Sequence, residues 1–174
     1  MSTLTARSIP MNELRVGCDL QNGGKSMERI ATNLIGRVTE TLPQLRSLPE
    51  AEVSHKPTPE RWSKKEILGH LIDSACNNHQ RFVRAQLGGE LFFPGYEQEG
   101  WARCQGYATA NWSLLVDLWA AYNRHLAEVI ARLPEAAQSL VCRIGNGEPV
   151  TLAWLVEDYV RHLDHHLAQI ASDG

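Results

Sequence analysis

Apolar residues recur at intervals of three and four along four segments of the chain, at about residues 27–48, 64–87, 111–133 and 152–171. This period places apolar side chains on one face of an α-helix. Pro49 closes the first helix, whose apolar face consists of Ile30, Leu34, Val38, Leu42 and Leu45. Four amphipathic helices in one chain predict an all-α fold, an antiparallel four-helix bundle.

The second predicted helix has the best-defined ends. Ser63 and Glu66 form an S-x-x-E capping box, in which each residue can bond a free backbone amide of the other. Trp62 and Ile67 flank this box and suit a hydrophobic staple. Two glycines at 88–89 end the helix, so we predict that it runs from about residue 64 to 87.

The connections carry two further features. ELFFPGYEQEGWARCQGYATAN, between the second and third helices, has no steady period and predicts a long ordered loop. Loops of this length often line a site. Alternatively, the loop covers one end of the core with Phe92, Phe93, Tyr96 and Trp101. SLVCRIGNGEPVTL predicts a small β excursion before the last helix, which Thr151 can cap.

The N-terminal segment differs from the rest of the chain. Residues 1–25 are weakly patterned and end in the flexible run QNGGKS, so we expect a disordered tail. A short helix around residues 12–19 remains an alternative. Residues 26–172 would then form one domain, which is long enough to bury a hydrophobic core.

Composition narrows the possible partners. The 17 basic and 20 acidic residues give a net charge of −3, and no basic run suits a phosphate backbone, so nucleic acid is not expected. No stretch is typical of a secretion signal or a membrane span, which predicts a cytoplasmic protein. The four cysteines are far apart and form no CxxC pair, which argues against a zinc knuckle or a dithiol redox site. Reduced thiols agree with a cytoplasmic location. Cys104, in the predicted loop, is a candidate reactive thiol.

The last predicted helix contains the run RHLDHHLAQI. His162 and His166 are one turn apart at the inner border of its apolar face, whereas His165 points outward. Such a pair can hold a transition metal if another helix supplies a third ligand, and His70 on the second helix is the best candidate.

The remaining histidines fit a metal site less well. One precedes the second helix, one lies on its far face and one has no histidine near it; these are His55, His79 and His125. A histidine pair at this spacing is, however, more often an ordinary surface or core pair. The pattern alone therefore leaves metal binding open.

Two segments resemble a known family. WSKKEILGHLIDSA resembles the W-S-x-x-E-x-x-x-H-L-x-D segment of the DinB/YfiT-like superfamily, and HLDHHLAQI resembles its final H-x-x-H-H-L-x-Q-I segment. GYEQEGW is similar to an acidic, tryptophan-containing loop of the same superfamily. The resemblance extends from about residue 27 to residue 170.

The resemblance implies a four-helix bundle, often a homodimer, in which three histidines hold one divalent metal ion, commonly zinc or nickel. The ligands would be His70, His162 and His166, with His165 at the family's non-ligand position. Asp73, which matches the family's aspartate, could orient a ligand or its water. Imidazole also suits copper and iron, and a haem site needs only one or two histidines, so these alternatives stay open.

These features predict a metal-dependent enzyme acting on a small molecule. Three neutral imidazoles leave coordination positions open, and a metal there can lower the pKa of bound water to about 7 or deprotonate a thiol. The resemblance implies reactions that use these two nucleophiles. They are those of thiol S-transferases using bacillithiol or mycothiol, of a thiol-dependent isomerase, and of hydrolases. Asp73, Asn77 and Arg81 are candidate catalytic residues. Asn77 and Arg81 either steer a charged cosubstrate or belong to a solvated polar stripe.

Two other classes of function remain possible from the sequence. One is a metal- or ligand-binding bundle without turnover, such as a stress-related sensor or storage protein. The other is a structural dimer that keeps its histidines without using them.

Overall fold

The computed structural model describes residues 26–88 and 91–172 of the 174-residue chain. The elements in this part are α1 (Met27–Ser47), α2 (Glu50–Val53), α3 (Lys64–Leu87), β1 (Phe92–Phe93), α4 (Gln98–Cys104), α5 (Trp112–Ala131), α6 (Glu135–Gln138), β2 (Val141–Ile144), β3 (Val150–Thr151) and α7 (Leu152–Ser172). One 3₁₀ turn, Tyr107–Thr109, precedes α5. The predicted tail, the alternative helix at 12–19 and Gly89 lie outside the described residues.

The long helices α1, α3, α5 and α7 form the predicted four-helix bundle, in which α5 packs against both α1 and α3, and α7 packs against both α3 and α1. Two contacts fix where α3 and α5 begin. Lys65 binds Glu50, directly after α1, and Trp112 donates from Nε1 to the carbonyl of Leu45 at 2.8 Å. Both helices therefore begin beside the end of α1 and run antiparallel to it.

α7 runs back along α3. His70, early in α3, lies against His166, late in α7, whereas Phe82, late in α3, lies against Tyr159, earlier in α7. The α1–α5 and α3–α7 pairs are thus antiparallel, as predicted. Because α3 and α5 start at the same end and run in parallel, the connection between them must return along the bundle, and this explains its length.

The ends of α3 are those predicted from sequence. The Oγ of Ser63 accepts from the amide of Glu66 at 3.4 Å, and the Glu66 carboxylate accepts from the amide of Ser63 at 2.8 Å. The helix ends at Leu87, and Gly88 has φ 80°, a left-handed conformation that favours glycine. Thr151 caps α7 as predicted, because its Oγ1 accepts a hydrogen bond from the backbone amide of Trp154 at 3.2 Å.

The predicted β excursion is the antiparallel pair β2–β3, in which Val141 pairs with Thr151. A third strand, β1, was not predicted; it pairs in parallel with β2, with Phe92 opposite Arg143. This pairing ties the long connection to the segment before α7. The start of the connection is therefore fixed beside α7 rather than being a free loop.

The connection between α3 and α5 is more regular than predicted, because it contains β1, α4 and the 3₁₀ turn. The alternative that all four of its aromatic residues plug the core is wrong. Phe92 and Trp101 are 55% and 39% exposed, and only Phe93 is fully buried. Cys104 is the exposed last residue of α4, and not a loop residue.

The core is formed by the apolar faces of the four long helices, with Trp119 and Phe82 as its largest fully buried side chains. Leu118 follows Leu115 by three residues in the third predicted helix, a spacing that predicts burial, but it is 46% exposed. It lies about 100° around the helix from Trp119, beyond the face that α1 and α3 cover. Among the described residues, no helix has the length and apolar character needed to cross a membrane.

Gly69 makes a close approach possible between α3 and the connection. A Cβ at this position would overlap the ring of Tyr107, which is itself buried. The hydroxyl of the same tyrosine donates to Asp73 at 2.8 Å. The absence of a side chain at Gly69 therefore lets the connection sit directly on α3, next to His70.

We expect Gly69→Ala to lower the free energy of unfolding by about 1–3 kcal/mol, because overpacking outweighs the gain in helix propensity. Gly36→Ala is the matched control. It changes a glycine of α1 with no atom within 4 Å of the added Cβ, so it should raise stability by about 0.5–1 kcal/mol. Urea unfolding measures both values. Equal effects of the two substitutions would contradict the close packing at Gly69.

The capping box makes stability depend on pH. Burial alone would raise the pKa of the Glu66 carboxyl, but hydrogen bonds from Lys56 and Ser63 outweigh it and hold that pKa below its usual value. A lowered folded pKa stabilises the protein above the unfolded pKa, and this contribution is lost as pH falls through the folded value.

We therefore expect Glu66→Gln to cost about 1 kcal/mol at pH 7 and progressively less below about pH 4, measured by urea unfolding across pH. Glu148→Gln, at an exposed position, should show little change at any pH. A deficit of Glu66→Gln that did not depend on pH would contradict this account.

Candidate metal centre

Three histidine rings from two helices meet at one point. The Nε2 of His162 lies 3.1 Å from the Nε2 of His70 and 3.1 Å from the Nε2 of His166. The three nitrogens lie within 4.8 Å of one another, and in the described part of the chain no other set of three His, Cys, Asp or Glu side chains converges in this way. The structure thus brings together the three residues selected from the sequence.

The second nitrogen of each ring faces an oxygen atom. The Nδ1 atoms of His70, His162 and His166 lie 3.5, 3.4 and 2.8 Å, respectively, from the Tyr96 hydroxyl, the Ser74 Oγ and the Gln169 Oε1. An oxygen acceptor at Nδ1 favours the tautomer that carries its proton there. The Nε2 lone pairs are then free and directed at the common point.

Burial keeps the rings neutral. It is the largest cause that lowers the pKa of His70 to about 3 and that of His162 to about 2, and it also lowers the pKa of His166. Neutral imidazole is the form that binds metals. His70 is only 1% exposed, whereas the two rings of α7 are half-buried, so solvent reaches the centre along α7.

The residues present fit one divalent transition-metal ion. Metal–nitrogen bonds of about 2.0–2.1 Å at near-tetrahedral angles separate two imidazole nitrogens by about 3.3 Å. The observed separation of 3.1 Å is close to this value. Three imidazoles without a fourth protein ligand are typical of catalytic rather than structural sites. The donor set does not distinguish zinc, nickel, copper and iron.

Aromatic residues enclose the centre. The ring of Trp62 lies 5.2 Å from that of His70, and the ring of Tyr96 lies 6.4 Å from it and 4.8 Å from Trp101. Burial raises the pKa of Tyr96, so its hydroxyl keeps its proton near neutral pH. Through Tyr96, the long connection forms one wall of the site, which is the first of the two interpretations of this loop.

Asp73 fastens the connection to α3. Its Oδ1 accepts from the side-chain amide of Gln105 at 2.6 Å and from the hydroxyl of Tyr107 at 2.8 Å. Its Oδ2 is buried and has no partner among the described residues, and burial raises the pKa of the carboxyl. None of its described hydrogen bonds reaches the three rings, so its implied role in orienting a ligand or its water stays a prediction.

The other two candidates differ in burial. Asn77 is half-buried and donates to a backbone carbonyl one turn earlier in α3. Arg81 is only 4% exposed, so the interpretation as part of a solvated stripe is wrong for this residue. Its Nη1 donates to Asn78 at 3.2 Å, and Asn78 in turn lies 3.4 Å from the Oγ of Ser74. A buried polar row therefore leads from the rings to Arg81.

Sequence reasoning did not identify the three residues whose oxygen atoms face the Nδ1 atoms of the rings. Ser74 follows His70 by one turn, and Gln169 follows His166 by three residues, so helical spacing could have found both. Tyr96 lies in a segment without a period, and the resemblance of GYEQEGW to a family loop did not predict that its hydroxyl would face His70.

The remaining histidines lie outside the trio. His165 is exposed and contacts Gln169, in agreement with its predicted outward position. The prediction that His125 has no histidine near it is wrong, because its ring lies 5.1 Å from that of His79. The pair spans the contact between α5 and α3, and side-chain angles on a single helix do not show which residues a neighbouring helix presents.

Known proteins share this fold and its sequence pattern. The model of the DinB superfamily matches residues 35–170. A relative from Oceanobacillus iheyensis, "Putative metal-dependent hydrolase OB0413", is 29% identical over 126 residues, which make up 71% of each protein. The solved structure of YfiT from Bacillus subtilis, described as a probable metal-dependent hydrolase with an unusual four-helix bundle topology, has a TM-score of 0.77. It covers 94% of both chains at 19% identity, which shows the fold alone.

Substitution of a single ring tests the centre. In protein purified without a histidine tag, we expect about one equivalent of divalent metal per chain, and a tenfold or greater loss of affinity in His70→Ala. His165→Ala is the matched control, because it removes an exposed histidine one residue from His166. Elemental analysis and metal titration measure both. Full metal content in His70→Ala would exclude the trio as the site.

Proposed function

Because the chain belongs to the DinB superfamily, we propose that its three-histidine centre binds one divalent metal ion and that the protein is a metal-dependent enzyme acting on a small molecule. The nucleophile would be a low-molecular-weight thiol or water, and the reaction S-transfer to a small electrophile or hydrolysis. The relatives' names, which refer to metal-dependent hydrolases, support the general class.

One observation carries the proposal: three Nε2 atoms converge while each Nδ1 is held by an oxygen. A bundle gains nothing from one buried and two half-buried imidazoles that converge unless their lone pairs have a partner. Since solvent reaches the centre beside the two half-buried rings, a small molecule can approach from the same side. This access favours catalysis over a purely structural role.

The surrounding residues would prepare the site for a nucleophile. Tyr96, Ser74 and Gln169 hold the ring orientations. Trp62, just before α3, and Tyr96 of the long connection lie against His70 and keep bulk water away from it. The three ligands carry no negative charge, so a bound divalent ion would keep its full charge and stabilise a thiolate or hydroxide near neutral pH.

The remaining expectations belong to the same proposal. Zinc or nickel is the expected ion, and residues 26–172 are the expected domain. A homodimer and a cytoplasmic location rest on the resemblance and on composition, and they stay predictions.

Turnover separates an enzyme from a binding protein. Protein loaded with zinc or nickel is incubated with a panel of small thiols and 1-chloro-2,4-dinitrobenzene, and separately with p-nitrophenyl acetate. We expect metal-dependent thiol loss or ester hydrolysis in wild type and in His165→Ala. His70→Ala should lose at least about a hundredfold in kcat/KM, because the site is incomplete.

Product formation is followed by absorbance and thiol titration. Metal binding without turnover on any member of the panel would favour the alternative, a non-catalytic metal- or ligand-binding protein. Turnover that persists after metal removal would contradict the mechanism.

A further inference from the structure

Arg81 is a buried cation with no adjacent anion among the residues that the structure describes. Its side chain lies in the contact between α3, α7 and the long connection and is 4% exposed. Its one described hydrogen bond is to the neutral amide oxygen of Asn78, at 3.2 Å. Burial lowers its pKa, but a guanidinium remains charged at neutral pH. A positive charge is therefore held inside the protein with only a neutral partner.

The nearest acidic group is engaged elsewhere. Asp158 of α7 is also buried and attracts Arg81 through space. Its carboxylate, however, accepts from Arg161 at 3.0 Å, and no described carboxylate lies within ion-pair distance of Arg81. A buried charge without a direct partner costs stability. A ligand that supplies the missing anion would offset this cost.

Arg81 is connected to the three-histidine centre. Ser74 faces the His162 ring, Asn78 contacts Ser74, and Arg81 contacts Asn78. Seven residues separate Ser74 from Arg81, which is about 10 Å along the helix axis. The charge of Arg81 also acts on Tyr96, whose hydroxyl lies beside His70. The buried polar row of α3 thus connects the guanidinium of Arg81 to the three rings.

We propose that Arg81 binds the carboxylate of a small molecule whose reactive end reaches the three-histidine centre. The planar guanidinium can donate two parallel hydrogen bonds to such a group, which a lysine in its place could not. The inference rests on the proposed function and narrows it to substrates with an acid group about 10 Å or less from the reacting atom.

The first test separates a ligand-binding role from a structural one. Arg81→Met keeps the apolar stem and removes the charge, and Arg84→Met, at an exposed position of the same helix, is the control. We expect the midpoint of urea unfolding of Arg81→Met to equal or exceed that of wild type in the absence of ligand, because an uncompensated buried charge is removed. Strong destabilisation would make Arg81 a structural residue and overturn the proposal.

The second test measures recognition of the acid directly. Binding of 6-mercaptohexanoate and of its neutral analogue 6-mercaptohexanamide to metal-loaded protein is compared by titration calorimetry. Wild type and Arg84→Met should prefer the acid by about tenfold or more, and Arg81→Met should bind both equally. No preference in wild type, or an unchanged preference in Arg81→Met, would overturn the proposal.

A third arm makes the result independent of metal and turnover. Hexanoate and hexanamide, which lack the thiol, are titrated into metal-depleted wild type and Arg81→Met by NMR. Preference for hexanoate that disappears in Arg81→Met supports an anion site even if no reaction is found. A preference seen only with the mercapto acid supports the same site and assigns the acid to the thiol substrate, whereas a hexanoate preference retained in Arg81→Met counts against it.

Discussion

The antiparallel packing of α3 against α7 is the contact on which the site depends. One helix can present two histidines on the same side, one turn apart, but a third ligand for the same point must come from another helix. Phe82 against Tyr159 fixes the register of the two helices below the centre, and the Tyr159 hydroxyl is itself held by Asn123 of α5 at 2.5 Å. A shift of α7 by one turn would leave at most one of its two rings beside His70, so the trio would be lost.

The same contact determines the chemistry of the rings. Burial between helices lowers their pKa values, so the rings are neutral imidazoles rather than cations. It also makes an unoccupied set of lone pairs costly, and the oxygen atoms at Nδ1 restrict the rings to one orientation. Packing, protonation and orientation therefore favour the same outcome, a site prepared for a cation.

Local signals predicted more of this molecule than long-range ones. The capping box and the glycine pair placed α3 at Lys64–Leu87, because both act within a few residues of the helix end. The period placed the two histidines of α7 on one side and made His70 the best candidate for their partner on α3, and the family resemblance implied the same trio. By contrast, β1 is two residues long and depends on β2, about fifty residues later, so its own sequence carried almost no signal. The contact of Tyr96 with His70 was not predicted either, because it depends on how the long connection packs on α3. The surroundings of Arg81 likewise depend on α7 and on the long connection.

The exceptions to ordinary core chemistry in α3 lie close to one another. Between His70 and Arg81, the helix buries a carboxylate oxygen of Asp73 that has no partner among the described residues and a hydrogen-bonded pair, Asn78 and Ser74. It also buries the Arg81 guanidinium, which has no described carboxylate within ion-pair distance. Apolar residues at these positions would stabilise the bundle more, because burying polar and charged groups costs free energy. The rest of α3 is rich in buried apolar residues, and its N-terminus is capped. These features offset the cost of the buried polar groups. The destabilising polar groups lie together in one row that begins at the three rings. This arrangement is expected where a ligand, rather than the protein itself, supplies the missing hydrogen-bond and charge partners.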